Sequence, residues 1–194
     1  MLVYRVFPYD AKAQPEKSGH PTYLHRPQGA GRWDNPDLYD TWYVGREPET
    51  AIAESFGNLA HWGESMFRFP SAPSTRRVLG VFSLPDDLQI LDLDDPRNLT
   101  DLGIRPSQVV IRNKAYTQGR ARQIWQQTTP SAERRWSAIG WWSFHAPHLR
   151  NLALMSSLSG PSPMTFVEAQ PLTLTHPAVV ECASLLHRVV DSRT

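Results

Sequence analysis

Apolar and amphipathic side chains alternate in the opening Leu2-Val-Tyr-Arg-Val-Phe7, and this predicts a first strand over 2–7. Residues 9–28 carry no such pattern and are broken by Pro15, Gly19, Pro21 and Pro27, so they read as a loop or lid. A turn-rich stretch over 29–36 is followed by Thr41-Trp-Tyr-Val44, a short buried strand. The period then changes. Ile52, Phe56 and Leu59 recur at i, i+4 and i+7, Pro48 suits a first helical turn, and Glu47 and Glu49 suit the positive end of the macrodipole. A helix ending near Gly63 is expected.

Strand-like runs at 77–83 and 88–93 flank Pro85-Asp-Asp, which predicts a hairpin. A helix over 117–127 is expected, capped by Thr117 and turning Ala121, Ile124 and Trp125 inward. Strands at 138–144 and 151–155, a Ser/Pro/Gly loop at 156–163 and an amphipathic C-terminal helix at 177–190 complete the map. Short strands mixed with a few helices and no internal repeat indicate an α+β chain, read as one domain over 1–194 with mixed short-strand sheets and flanking helices.

A length of 194 residues allows one sizeable core and leaves two domains cramped. Twenty Lys and Arg against 19 Asp and Glu create no global field to draw in nucleic acid or an anionic membrane. Hydrophobic content of 40% and a mean hydropathy of −0.44 fit a soluble chain, and no apolar run approaches a spanning length. The N-terminus lacks the features of a signal peptide, so a cytoplasmic location is expected. A single cysteine, Cys182, excludes an internal disulfide and a cysteine-rich zinc site; among Val179, Val180, Leu185 and Leu186 it reads as a buried thiol. Charge is uneven locally. Segment 84–101 holds six Asp against Arg97 alone, and segment 105–135 holds seven Arg or Lys against Glu133 alone. Solvated faces explain both better than a nucleic-acid stripe, and no direct nucleic-acid binding is expected.

Several motifs fail on inspection. Gly29 and Gly31 invite a phosphate loop, but Asp34 stands where a dinucleotide fingerprint needs its third glycine, and there is no GxxxxGK. His145-Ala-Pro-His148 has ligand-like spacing, yet Pro147 opposes the helical geometry of a zinc pair, so no metal is expected. Glu47-x-Glu49 resembles the paired glutamates of some ADP-ribosyltransferases, but the macrodipole explains two acids at a helix start.

Four residues hold more interest. Glu54 lies opposite the Ile52/Phe56 stripe at roughly 100° per residue, and its neighbours at i−3 and i+3 are the small Ala51 and Gly57, which leaves room for a ligand. Ser143 sits in the aromatic run Gly140-Trp-Trp-Ser-Phe-His145, fit to wall a pocket for a flat ring or simply to fill a core. Arg32, beside Trp33 and two glycines, offers a fork of donors to a phosphate unless it is an ordinary turn arginine. Tyr43 stands on the strand before the Glu54 helix.

In this order the segments resemble the RES domain family, named for its arginine, glutamate and serine. Tyr4-Arg5-Val6 is similar to the family's opening strand, and Gly31-Arg32-Trp33-Asp34 to its Gly-Arg-Trp-Asn motif, with Asp34 replacing asparagine. Tyr43 followed by Glu54 resembles its tyrosine and glutamate, and Gly140-Trp-Trp-Ser143 with Asn151-Leu-Ala-Leu its serine segment, with Trp142 where small residues or proline are common.

The resemblance implies a fold related to diphtheria-toxin-type ADP-ribosyltransferases. It also implies cleavage of the nicotinamide–ribose bond of NAD, as a glycohydrolase or phosphorylase. NAD is then a substrate, and no prosthetic group is expected. Glu54 would stabilise the oxocarbenium-like transition state, Arg32 hold the pyrophosphate, Tyr43 pack on nicotinamide and Ser143 hydrogen-bond the ribose or carboxamide. The implied partner is an Xre-like antitoxin, the chain being the toxin of the pair; a homo-oligomer stays open. Two alternatives also stay open, a mono-ADP-ribosyltransferase with a protein acceptor and a catalytically silent partner-binding module.

Overall fold

The computed structural model describes residues 1–70 and 75–191. In chain order the elements are β1 (Leu2–Tyr9), β2 (Asp40–Gly45), α1 (Pro48–Phe56), β3 (His61–Trp62), a 3-10 turn (Glu64–Phe67), β4 (Arg76–Ser83) and β5 (Ile90–Asp92). They continue with α2 (Pro96–Leu102), α3 (Pro106–Val109), α4 (Lys114–Trp125), β6 (Ala138–Trp142), β7 (Arg150–Ser156), β8 (Thr165–Pro171), α5 (Pro177–Leu185) and β9 (Val189–Val190). Seven strands form one mixed sheet in the order β5-β6-β7-β2-β1-β4-β8, and β3 and β9 form a separate parallel pair. The fold is α+β.

Side-chain alternation assigns the two faces of the sheet. Val3 and Phe7 of β1, Trp42 and Val44 of β2, and Leu152 and Leu154 of β7 enter one apolar cluster. The opposite face carries two. Tyr4 and Val6 pack with Ile52 and Phe56 of α1 and Val179 and Cys182 of α5. Tyr43, Ile139, Trp141 and Ala153 pack with Leu99, Val109, Ala121 and Ile124 of α2 to α4. Two helical groups therefore share one face, and β1 and β2 lie where they meet. There the sheet parts: β1 is in register with β4 through eight residue pairs but with β2 only at Tyr4↔Gly45. The division leaves a cleft.

The structure corrects several expectations. Runs 77–83 and 88–93 are not a hairpin, because β4 pairs with β1 and β8 while β5 lies at the far edge, parallel to β6. Helix α1 stops at Phe56 rather than near Gly63, and Leu59 is exposed. Trp62 occupies the core position instead, fully buried, its indole N–H donating to Phe56 O at 3.2 Å and satisfying a terminal carbonyl. Asn113, not Thr117, caps α4, accepting from Tyr116 N at 3.1 Å, while the Thr117 hydroxyl donates back to Lys114 O at 3.2 Å. The C-terminal helix ends at Leu185, because His187 takes a positive φ of 50° and turns Val189–Val190 onto β3.

Candidate functional site

Three adjacent strands aim side chains into the cleft. Tyr43 of β2, Trp141 of β6 and Asn151 of β7 lie on the helical face, Trp141 and Asn151 as direct cross-strand partners. From the other side α1 presents Glu54. The Gly57 position explains how close the loop after β6 comes, since a Cβ there would lie 2.7 Å from His145 Cε1. The small neighbours of Glu54 thus serve packing on one side and open space on the other, where Ala51 lines the cleft.

Glu54 is fixed through one oxygen. Its Oε1 accepts from Ser143 Oγ at 2.8 Å and from Asn151 Nδ2 at 2.7 Å, and Oε2 takes no hydrogen bond from the described residues. Both donors are buried, Ser143 at 2% and Asn151 at 5% exposure, whereas the glutamate is exposed. Ser143 also accepts from His145 N at 3.0 Å and lines neither half of the cleft. Its hydroxyl is therefore turned to Glu54 and fixes the orientation of that carboxylate. A carboxylate held this way keeps one oxygen for a ligand and loses little side-chain freedom on binding.

The Gly29–Asp34 turn is closed on itself. Asp34 Oδ2 accepts from Gly29 N at 2.8 Å and Gly31 N at 2.7 Å, and Oδ1 accepts from the Tyr43 hydroxyl at 2.7 Å. The glycine N–H groups that a phosphate loop would offer are thus already satisfied. An asparagine here could keep the glycine bonds through its oxygen only by donating its amide N–H to the Tyr43 oxygen, whereas the aspartate accepts from both sides. A Cβ on Gly31 would fall 2.3 Å from the Tyr43 hydroxyl, which explains the glycine. Burial, with Asp34 beside it, pushes the Tyr43 phenol well above its usual range. What Tyr43 offers a ligand is its ring, set edge-on to Trp141 at 6.2 Å.

Arg32 lines the cleft, and its guanidinium also meets backbone carbonyls. Its Nη1 donates to Val109 O and Ile111 O, each at 2.7 Å, and its Nη2 to Val110 O at 3.4 Å. These carbonyls belong to the last residue of α3 and the two after it, so the planar fork closes that end of the helix. Burial lowers the guanidinium pKa, and the charges of Glu54 and Tyr43 oppose that shift.

The cleft has two halves that share Tyr43, Glu54 and Trp141 as lining. The inner half, about 260 Å³, reaches the parting of β1 and β2 along Tyr4, Arg5 and Val6. The outer half, about 510 Å³, runs along Arg32, Ile111, Arg112, Lys114, Thr117 and Phe144. Arg5, Asn151, Arg112 and Lys114 were not identified as site residues from the sequence. Arg5 is the more unusual. Burial lowers its pKa to about 10, and among the described residues it makes one long hydrogen bond, to Tyr23 O at 3.5 Å, besides lying over the Trp42 ring. A charged residue at an interior strand position is the signal that could have exposed it. Glu47, by contrast, is structural, its Oε2 accepting from Thr50 Oγ1 and Arg150 N. Among the described residues no group of three metal-capable side chains occurs, and no helix is long and apolar enough to cross a membrane.

The family model described as the RES domain matches residues 2–175. No curated protein matches the chain. Among solved structures, the chain is similar to one described as the M. tuberculosis MbcT–MbcA toxin–antitoxin complex, at 15% identity and a TM-score of 0.55. That likeness covers 96% of this chain and 88% of the other, and it speaks to the fold.

Proposed function

The chain belongs to the RES domain family, and from that premise we propose that it binds NAD and cleaves the bond between nicotinamide and ribose. The observation that carries the proposal is the Glu54 carboxylate, fixed by Ser143 and Asn151 between two halves of one cleft and beside the rings of Tyr43 and Trp141.

Cleavage breaks the C1′–N1 bond, and the electron pair leaves with nicotinamide as a neutral ring. Positive charge develops on the ribose, so a carboxylate beside C1′ stabilises the transition state more than the ground state. Glu54 Oε2 supplies that charge, or takes a proton from a water or phosphate oxygen as it bonds to C1′. Nicotinamide needs no protonation to leave, so no strong general acid is required. Tyr43 and Trp141 contribute aromatic surface for the flat ring. Ser143 and Asn151 hold the carboxylate, and Arg32 places a cation in the wall while fixing residues 109–111. Half-buried Arg5 borders the inner end, its guanidinium over the Trp42 ring.

The likeness to one chain of a toxin–antitoxin complex supports a second part of the proposal, that this enzyme acts as a toxin restrained by an antitoxin protein. Product analysis tests the chemistry. Purified protein incubated with labelled NAD is expected to release nicotinamide, with free ADP-ribose in phosphate-free buffer or ADP-ribose 1″-phosphate when phosphate is added. Label retained on protein would instead assign the chain as an ADP-ribosyltransferase, and intact NAD would refute cleavage.

A further inference from the structure

The outer half of the cleft contains two cations that are satisfied by no acceptor among the described residues. Arg112 and Lys114 line it, both exposed, and neither side chain makes a hydrogen bond or ion pair among the described residues. Between them stands Asn113, the cap of α4, so Arg112 lies in the turn before the helix and Lys114 opens it. The backbone just before them is anchored by the three bonds from Arg32 to the carbonyls of residues 109–111. Opposite lies Phe144, 60% exposed, with the Arg112 guanidinium over its ring at 5.2 Å. Two exposed cations on one wall suit a doubly charged anion, and an exposed aromatic in the lining offers a stacking face.

We infer that Arg112 and Lys114 hold the pyrophosphate of the dinucleotide and that Phe144 stacks on its adenine, so the outer half recognises the adenosine-diphosphate arm. This inference rests on the proposed cleavage of NAD and moves the phosphate contact from Arg32 to the segment that Arg32 anchors. The occupant follows from continuity and charge. Tyr43, Glu54 and Trp141 line both halves, so a molecule with its scissile bond at Glu54 continues into a region bearing two unused cations and an aromatic face. A bidentate or paired contact of this type to a phosphate is charge-assisted and therefore strong. The two halves divide the work: the inner half determines the rate of bond breaking, and the outer half determines affinity.

The test compares Arg112→Ala, Lys114→Ala and their double variant on two substrates, NAD and nicotinamide riboside, which has the scissile bond but no phosphate or adenine. ADP binding is measured by calorimetry alongside. For NAD, KM is expected to rise roughly tenfold in each single variant and more in the double, with kcat within about twofold, as expected for loss of binding common to ground and transition states. Activity on nicotinamide riboside stays unchanged. ADP binds the wild type and is lost from the double variant, and Phe144→Ala weakens ADP similarly. An unchanged KM for NAD, or an equal loss on nicotinamide riboside, overturns the inference. If the wild type consumes neither substrate while ADP binding still depends on these residues, the cleavage reading fails and the phosphate site stands. If NAD is cleaved but ADP binding ignores the substitutions, the phosphate site fails and cleavage stands.

Discussion

Glu54 shows how much one side chain can depend on two others. Without the hydroxyl of Ser143 or the amide of Asn151, its carboxylate would swing on an exposed helix face, and the geometry that the proposed reaction requires would be lost. Ser143→Ala removes one charge-assisted bond without opening a sizeable cavity, so kcat for NAD is expected to fall roughly 10- to 100-fold with KM little changed. Steady-state kinetics check this, and an equal loss in KM would show that Ser143 touches the substrate directly. Part of this site is legible in the sequence. Glu54 is exposed by its helical position and small neighbours, and Ser143 by its aromatic surroundings. Asn151 is harder to see, because a polar residue at the start of a strand reads as an edge until the cross-strand register with Trp141 turns it inward. Arg32 has a structural contact that its sequence context does not reveal. A guanidinium fork suits carbonyls as well as phosphate, and the carbonyls it meets lie 77 to 79 residues away.

At the scale of elements, α1 and α5 together form the wall that carries Glu54. Cys182 lies at their contact, fully buried, and burial pushes its thiol from 9.0 to about 12. The folded pKa is the higher, so this contribution to stability is complete below pH 9 and is lost as pH rises towards 12. Between pH 9 and pH 10 the loss is about 1 kcal/mol, or roughly 2–4 °C in melting temperature for a chain of this size. Thermal melts are therefore expected to fall less steeply over that interval in Cys182→Ala than in the wild type; parallel falls would show that the thiol is not held neutral by packing. Central strands such as β2, β6 and β7, buried on both faces, are readable as short apolar runs, and β1 and α4 from their periods. Strand pairing is not, and a Pro-Asp-Asp turn between two strand-like runs led to a hairpin that the sheet order denies. Strand β8 escapes because it is an exposed edge with no apolar alternation. The short helices α2 and α3 escape because each offers one turn or two of pattern, although both begin with proline.

The whole molecule is organised around a discontinuity. One sheet supports two helical groups on a single face, and where β1 and β2 part, the core gives way to a cleft lined with aromatic rings, one fixed carboxylate and several cations. The chain's net charge of +1 gives no sign of this, since positive charge is gathered at the cleft and balanced elsewhere. Membership of the RES domain family and this arrangement are the basis of the proposal that the glycosidic carbon of a dinucleotide meets Glu54. The most direct test is nicotinamide release from NAD by the wild type and by Glu54→Gln, a variant that keeps size and hydrogen bonding but removes the charge. The wild type is expected to release nicotinamide and Glu54→Gln to release none above background, with the same melting temperature within a few degrees; undiminished release by the folded variant would contradict the account.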